Sequence, residues 1–153
     1  MDDSAGIKFP PPIVYVGGFF AGALLEQHVV RITIGPRQPL AAIGWALGAA
    51  AIALMLWGVF TFRRARTAII PHLPASRLVR HGPYRFTRNP MYVGLTAIYI
   101  GLSLLFNVAW PLVLLPAVLA LMWVFVIRRE EGYLRRAFGE EYDLFTREVR
   151  RWL

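Results

Sequence analysis

The sequence predicts an all-α integral membrane protein with about four transmembrane helices, a cytoplasmic connecting loop and a C-terminal amphipathic helix. Hydrophobic residues make up 57% of the 153 positions, and residues 89–127 contain no charged side chain. Two further uncharged segments, 9–25 and 38–62, precede them. Because a helix rises about 1.5 Å per residue and a hydrocarbon core is about 30 Å thick, each segment is near the length of a span. At this length we predict a single membrane domain, 1–153.

The first predicted span covers about 9–26 and the second about 38–62. Asp2 and Asp3 stand where a signal peptide would be basic, and no small-residue cleavage site follows the apolar segment. We therefore expect the first span to remain in the mature chain.

Both of these spans contain glycines four residues apart, a spacing that lets helices approach closely. We expect the glycines to pack helices within one bundle, with a dimer interface as the alternative. The oligomeric state stays unknown at this point. The two pairs are Gly18 with Gly22 and Gly44 with Gly48.

The uncharged run 89–127 is long enough for two helices, which we place at about 90–106 and 109–127. The break between them is predicted at Asn107 to Pro111. Asn89 fits the N-cap position of the third span and Pro90 its first helical position, which leaves free backbone N–H groups and a positive dipole end there.

A hairpin of two spans returns the chain to the side that it left. Arg88, Asn89 and Tyr92 are therefore expected within about 10 Å, one helix spacing, of Glu130 and Glu131. Polar groups gathered at a bilayer surface cost desolvation energy and are by default a functional-site hypothesis. The alternative is ordinary flanking charge that ends a span.

The segment between the second and third spans carries seven arginines and no acidic residue, and its prolines and glycine predict irregular structure or short helical pieces. The positive-inside rule places it in the cytoplasm, with both termini on the same side. The predicted location is thus a plasma membrane, with this segment on its cytoplasmic side. The arginines are residues 63, 64, 66, 77, 80, 85 and 88, and the breaking residues are Pro71, Pro74, Gly82 and Pro83.

Composition excludes several kinds of chemistry. The chain has no cysteine, and His28, His72 and His81 have no metal-ligand spacing, so we predict no metal site. The net charge of +8 is juxtamembrane and is explained by anionic lipid headgroups, so no nucleic-acid partner is predicted. The nearly neutral segment 128–151 is expected to form one or two amphipathic helices, interrupted at Gly139, that pack under the bundle.

Three motifs stand out in the second half of the chain: His81-Gly82-Pro83-Tyr84-Arg85, Arg88-Asn89-Pro90-Met91-Tyr92, and Glu130-Glu131 followed by Phe138-Gly139 and Tyr142. Taken together, they resemble the isoprenylcysteine carboxyl methyltransferase and phospholipid methyltransferase family, in its bacterial branch. The resemblance covers about residues 67–151, whereas the first 60 residues match only as generic spans.

The resemblance implies methyl transfer from S-adenosylmethionine to a membrane-embedded or amphiphilic acceptor, either a carboxylate or an amine of a lipid headgroup. The cofactor-binding region would be about 67–92 plus 128–151, with Arg88 and Glu131 as the catalytic residues. The cofactor-binding residues carried over from the family are His81, Gly82, Pro83, Tyr84, Asn89, Pro90, Tyr92, Glu130 and Glu131.

The residue types are compatible with this chemistry. Methyl transfer from a sulfonium is an in-line displacement that needs positioning and electrostatics rather than a nucleophile on the protein. A carboxylate acceptor needs no general base, whereas an amine needs one, for which His81 or a glutamate is the candidate. Two other functions remain open: a non-catalytic bundle that binds a lipid or a partner, and a nicotinamide-dependent membrane reductase.

Overall fold

The computed structural model describes residues 10–66 and 77–153, and all regular secondary structure in these two ranges is helical. The predicted all-α class is confirmed for them. The elements are α1 (Pro11–His28), α2 (Arg37–Ala65), a 3-10 turn (Gly82–Arg85), α3 (Pro90–Phe106), α4 (Trp110–Met122), a π-helical turn (Trp123–Ile127), α5 (Arg128–Phe138) and α6 (Glu140–Glu148).

Several predictions fall on segments 1–9 and 67–76, which lie outside the described residues. They concern Asp2 and Asp3, the first residue of the first span, Pro71, His72 and Pro74, and the first ten residues of the predicted cofactor-binding region.

The predicted break in the long apolar run is confirmed. Helix α3 ends at Phe106, and Asn107 adopts a left-handed conformation with φ 55°. Its side chain binds the α1–α2 connection, because Oδ1 accepts from the Ile34 N–H at 2.8 Å and Nδ2 donates to the Gly35 carbonyl at 3.0 Å. Glu26, which is buried, accepts from the Ile32 N–H at 2.6 Å. These contacts join the two interhelical turns at the end of the bundle opposite the charged clusters.

Among the described residues, two helices are long and apolar enough to cross a membrane: α2 and the continuous helix Trp110–Phe138, which is formed by α4, the π turn and α5. Helix α3 is apolar but shorter. Only 11% of the most apolar window of α2, and 28% of that of 110–138, is buried. A soluble core helix would be mostly buried, so these exposed apolar faces need an apolar surrounding.

Glycines allow the closest helix contacts, as predicted for packing within one bundle. Helix α2 lies along α3, where a Cβ on Gly44 would come within 2.6 Å of the Gly101 carbonyl oxygen. Helix α1 lies along α4, where a Cβ on Gly22 would come within 2.6 Å of the Pro111 nitrogen. Gly48 is different, since an added Cβ would have no neighbour within 4 Å. The close packing of both helix pairs therefore requires glycine at positions 44 and 22, because a side chain there would collide with the neighbouring helix.

Gly44→Ala is expected to destabilise the fold by roughly 1–3 kcal/mol, because the new methyl group forces α2 away from α3. Gly48→Ala, on the same helix, is the matched control and should leave stability unchanged or slightly raised. Thermal unfolding of the detergent-solubilised protein, followed by tryptophan fluorescence, compares the two. Equal melting temperatures would show that α2 and α3 do not touch at Gly44.

Candidate active site

The start of α3 is held by the C-terminal strap, defined here as residues 149–153. The backbone N–H of Arg88 donates to the Arg150 carbonyl at 2.9 Å. The Arg151 carbonyl accepts from Thr87 Oγ1 and from Asn89 Nδ2, both at 3.0 Å. Asn89 is the N-cap residue of α3 and Pro90 its first residue, as predicted, but the Asn89 side chain makes no capping bond and binds the strap instead.

Glu131 is bound by two arginines. Arg151 donates to it in bidentate geometry, with Nε at 2.7 Å from Oε1 and Nη2 at 2.9 Å from Oε2. Nη1 of Arg88 lies 3.3 Å from Oε1. The side chains of Arg88 and Glu131 are only 12% and 17% exposed, so their charges are largely removed from water. This cluster joins the start of α3, helix α5 and the strap.

Arg88 retains an unused hydrogen-bond donor. Its Nε is buried and has no partner among the described residues. Buried donors without a partner are rare in folded proteins and often mark a ligand or water position. The sequence predicted Arg88 as a catalytic residue, and the structure gives it a donor that a ligand can use.

Glu130 has a different environment from that of Glu131. It accepts a hydrogen bond from the Tyr92 hydroxyl at 2.8 Å, and no basic side chain of the described ranges lies within 4 Å of it. It follows the apolar part of its helix, which ends at Ile127. Burial raises the pKa of Glu130, and the negative charge of Glu131 raises it further. The hydrogen bond from Tyr92 acts in the opposite direction and lowers the pKa. The ionised form of Glu130 would therefore be stabilised by a cation.

The 3-10 turn brings Tyr84 to the same place. Gly82 has φ 64°, and a Cβ there would lie 2.5 Å from Thr61 Oγ1 on α2, so glycine is required for both reasons. Pro83 is buried, and the Tyr84 ring packs edge-on against Phe62 at 5.2 Å. Burial, and then the charge of Glu130, raise the pKa of the Tyr84 hydroxyl. Tyr84 thus fills the space between α2 and the start of α5.

The predicted proximity of the two polar clusters is confirmed by the Tyr92–Glu130 and Arg88–Glu131 contacts. Gly82 and Pro83 act by shaping the turn against α2. His81 is exposed and precedes the turn, so the structure does not bring its side chain into the cluster.

Sequence reasoning missed two participants. Arg151 enters the sequence analysis only as part of the nearly neutral segment 128–151, and Tyr142 only as a member of the third motif. Tyr142 packs with Tyr84 and Phe145 in a small hydrophobic core. Its hydroxyl also lies close enough to Arg88 and Glu131 for their charges to affect its pKa. The only signal in the sequence was the position of Arg151 at the end of the predicted cofactor-binding region.

A comparison with known protein families finds a match to the family model described as phospholipid methyltransferase, over residues 40–141, two thirds of the chain. This chain belongs to the phospholipid methyltransferase family. No curated protein and no solved structure gives a significant match. Family membership and the exposed apolar helices together make it a membrane protein of a methyltransferase family that acts on lipid-related substrates.

The matched region differs in extent from the predicted resemblance. It begins at residue 40 and so includes α2, which the sequence analysis treated as a generic span, and it ends at residue 141, before most of α6 and the strap. In this family member the site therefore includes a segment outside the family model, because Arg151 binds Glu131.

Arg151→Gln should lower the free energy of unfolding by about 1–2 kcal/mol, because a charged bidentate contact to a partly buried carboxylate is lost. Arg150→Gln is the control, since its side chain is exposed and only its carbonyl binds Arg88. Chemical unfolding in detergent measures both variants. Similar losses in the two would mean that general charge, and not the Glu131 contact, stabilises the strap.

Proposed function

We propose that this protein transfers a methyl group from S-adenosylmethionine to an amphiphilic acceptor in the membrane, at the cluster of Tyr84, Arg88, Tyr92, Glu130 and Glu131. The observation that carries the proposal is Glu130, a partly buried carboxylate bonded to Tyr92 with no basic partner in the described part of the chain. Such a group fits a ligand that brings a positive charge or hydroxyl donors.

The residues present fit the cofactor. When bound, S-adenosylmethionine supplies an activated methyl group on a positively charged sulfur. Glu130 is suited to lie near that charge or to accept from the ribose hydroxyls, with Tyr84 and Tyr92 beside it. Asn89 and the Gly82-Pro83 turn shape the wall of the site. His81 and Pro90 are included by the resemblance alone.

The two glutamates have separate roles in this proposal. Both oxygens of Glu131 are engaged by Arg88 and Arg151, so Glu131 is a positioning residue for the guanidinium of Arg88. Glu130 then takes the cofactor contacts that sequence reasoning divided between the two residues.

The acceptor is expected to carry an anionic group. Two guanidiniums share the one carboxylate of Glu131, and the buried Nε of Arg88 has no hydrogen-bond partner among the described residues, so Arg88 can still bind an anion. A carboxylate acceptor would be held there directly and would need no base. An amine on a phospholipid headgroup would present its phosphate to Arg88, with Glu130 as the candidate proton acceptor.

Positioning and charge supply the catalysis. With an anionic acceptor, an oxygen–carbon bond would form as the sulfur–carbon bond breaks, and neutral S-adenosylhomocysteine would leave. Two opposite charges would cancel, so a site largely removed from water would favour the transition state over the separated charges. The protein has to hold the reacting atoms in line and exclude water, and it forms no covalent bond itself.

We also propose that α1 and α3 cross the membrane together with α2 and the apolar part, 110–127, of the helix Trp110–Phe138, giving four spans. At 18 and 17 residues, α1 and α3 are near the lower limit for a span. The arginine-rich connection then lies in the cytoplasm of a bacterial-type cell, with the site and both termini on that side.

The first test is calorimetric titration of the detergent-purified protein with S-adenosylmethionine, S-adenosylhomocysteine and NADPH. We expect saturable binding of the first two only. Glu130→Gln should lower the affinity for S-adenosylmethionine by roughly tenfold or more, because one charge-assisted contact is lost. The affinity for S-adenosylhomocysteine, which lacks the positive charge, should fall less. Glu141→Gln, an exposed glutamate on α6, should bind like the wild type. Binding of NADPH alone would indicate a reductase, and binding of none would leave the lipid- or partner-binding bundle.

The affinity for S-adenosylmethionine should fall as the pH is lowered, because protonation of Glu130 removes its negative charge. Since the pKa of Glu130 is raised, the fall should begin at a higher pH than for an ordinary glutamate. Glu130→Gln should bind weakly with no such step. A wild-type profile that is flat down to the ordinary glutamate range would exclude Glu130 from the cofactor contact.

Arg88→Ala and Glu131→Ala should lower methyl transfer by at least about a hundredfold, because the acceptor is no longer held in line. Radiolabelled methyl incorporation into a panel of phospholipids and long-chain acids measures this loss. Cofactor binding by Arg88→Ala should stay close to that of the wild type, which separates a lost acceptor contact from a lost fold. Full turnover in both variants would remove these residues from the mechanism.

A further inference from the structure

The π-helical turn brings together two side chains that an α-helix would separate. Trp123 and Arg128 are five residues apart, a spacing that places side chains about 140° apart around an α-helix. Here the Arg128 N–H bonds to the Trp123 carbonyl, and the guanidinium carbon lies 5.4 Å from the centre of the Trp123 ring. The wider turn thus creates a cation–π pair, and π turns often occur at functional positions.

This pair lies where the apolar part of its helix ends. Trp123 is 41% exposed, and Leu121, Val124 and Phe125 around it are also exposed. Arg128 is exposed and has no acidic partner within 4 Å in the described ranges. A tryptophan with a cation above it is suited to the boundary between acyl chains and headgroups.

We propose that this face is a binding site for one anionic phospholipid. The phosphate accepts hydrogen bonds from the Arg128 guanidinium, and an acyl chain lies along Val124 and Phe125. Trp123 holds the guanidinium at the level of the phosphate. A zwitterionic headgroup offsets its phosphate with its own cation, whereas an anionic headgroup leaves that charge for Arg128, so charge selects an anionic lipid over a zwitterionic one. The site is separate from the methyl-transfer cluster, and the inference does not depend on the proposed function.

Native mass spectrometry of the detergent-solubilised protein tests this with phosphatidylglycerol and phosphatidylcholine of the same acyl chains. We expect tighter binding of the first phosphatidylglycerol molecule. Arg128→Gln should lower the affinity for phosphatidylglycerol about fivefold, the effect of one juxtamembrane arginine. It should change the affinity for phosphatidylcholine little. Trp123→Leu keeps the site apolar, and it should lower the affinity for phosphatidylglycerol about two- to fivefold because the cation–π contact is lost. Arg147→Gln, an exposed arginine on α6, is the control.

Three results would overturn the proposal. Equal affinity for the two lipids would show that charge does not select the ligand. An equal loss in Arg147→Gln and Arg128→Gln would show a diffuse basic surface instead of a site. Displacement of the lipid by glycerol phosphate at similar concentration would show that the acyl chain contributes nothing. Circular dichroism of each variant confirms that a loss of binding is not a loss of helix.

Discussion

The contact on which the site depends is the binding of Glu131 by Arg88 and Arg151. It joins three parts of the chain that are far apart in sequence: the segment that leads into α3, the first turn of α5 and the strap. Because these charges are largely removed from water, loss of one partner would leave another uncompensated, which costs far more than loss of an exposed ion pair. A second contact joins α3 to α5 independently, since the Tyr92 hydroxyl donates to Glu130 at 2.8 Å.

Adjacent glutamates with opposite environments give the site its chemical asymmetry. Glu131 is neutralised by two cations, whereas Glu130 has a phenol hydroxyl and a second carboxylate as neighbours. Burial makes the charge of Glu130 costly, the Tyr92 hydrogen bond offsets part of that cost, and no ion pair in the described part of the chain offsets the rest. Pairs of titratable groups whose surroundings differ in this way commonly divide the work of an active site. Here one carboxylate maintains the structure and the other remains available to a ligand.

Sequence reasoning predicted the helices and the meeting of the two polar clusters, because the length of an apolar run and the return of a hairpin are simple geometry. It also identified the break at Asn107, where a left-handed residue ends α3. It could not predict that Arg151 reaches Glu131, since a strap without periodicity gives no indication of its long-range partner. The π turn was equally hidden, because five apolar residues are compatible with an ordinary α-helix and only the packing on both sides selects the wider turn.

Segments on both sides of the family-matched region converge on α3. From α1, the Tyr15 hydroxyl lies 2.9 Å from Thr96 Oγ1, and Thr96 in turn donates to the Tyr92 carbonyl at 2.8 Å. From the strap, the Arg151 carbonyl binds Asn89. The first two turns of α3 are thus fixed from the membrane side by α1 and from the polar side by the strap, and the Tyr92 hydroxyl that meets Glu130 projects from between these two supports. In the proposed mechanism the matched region 40–141 contributes the groups that meet the ligands, and the segments outside it hold α3 in position.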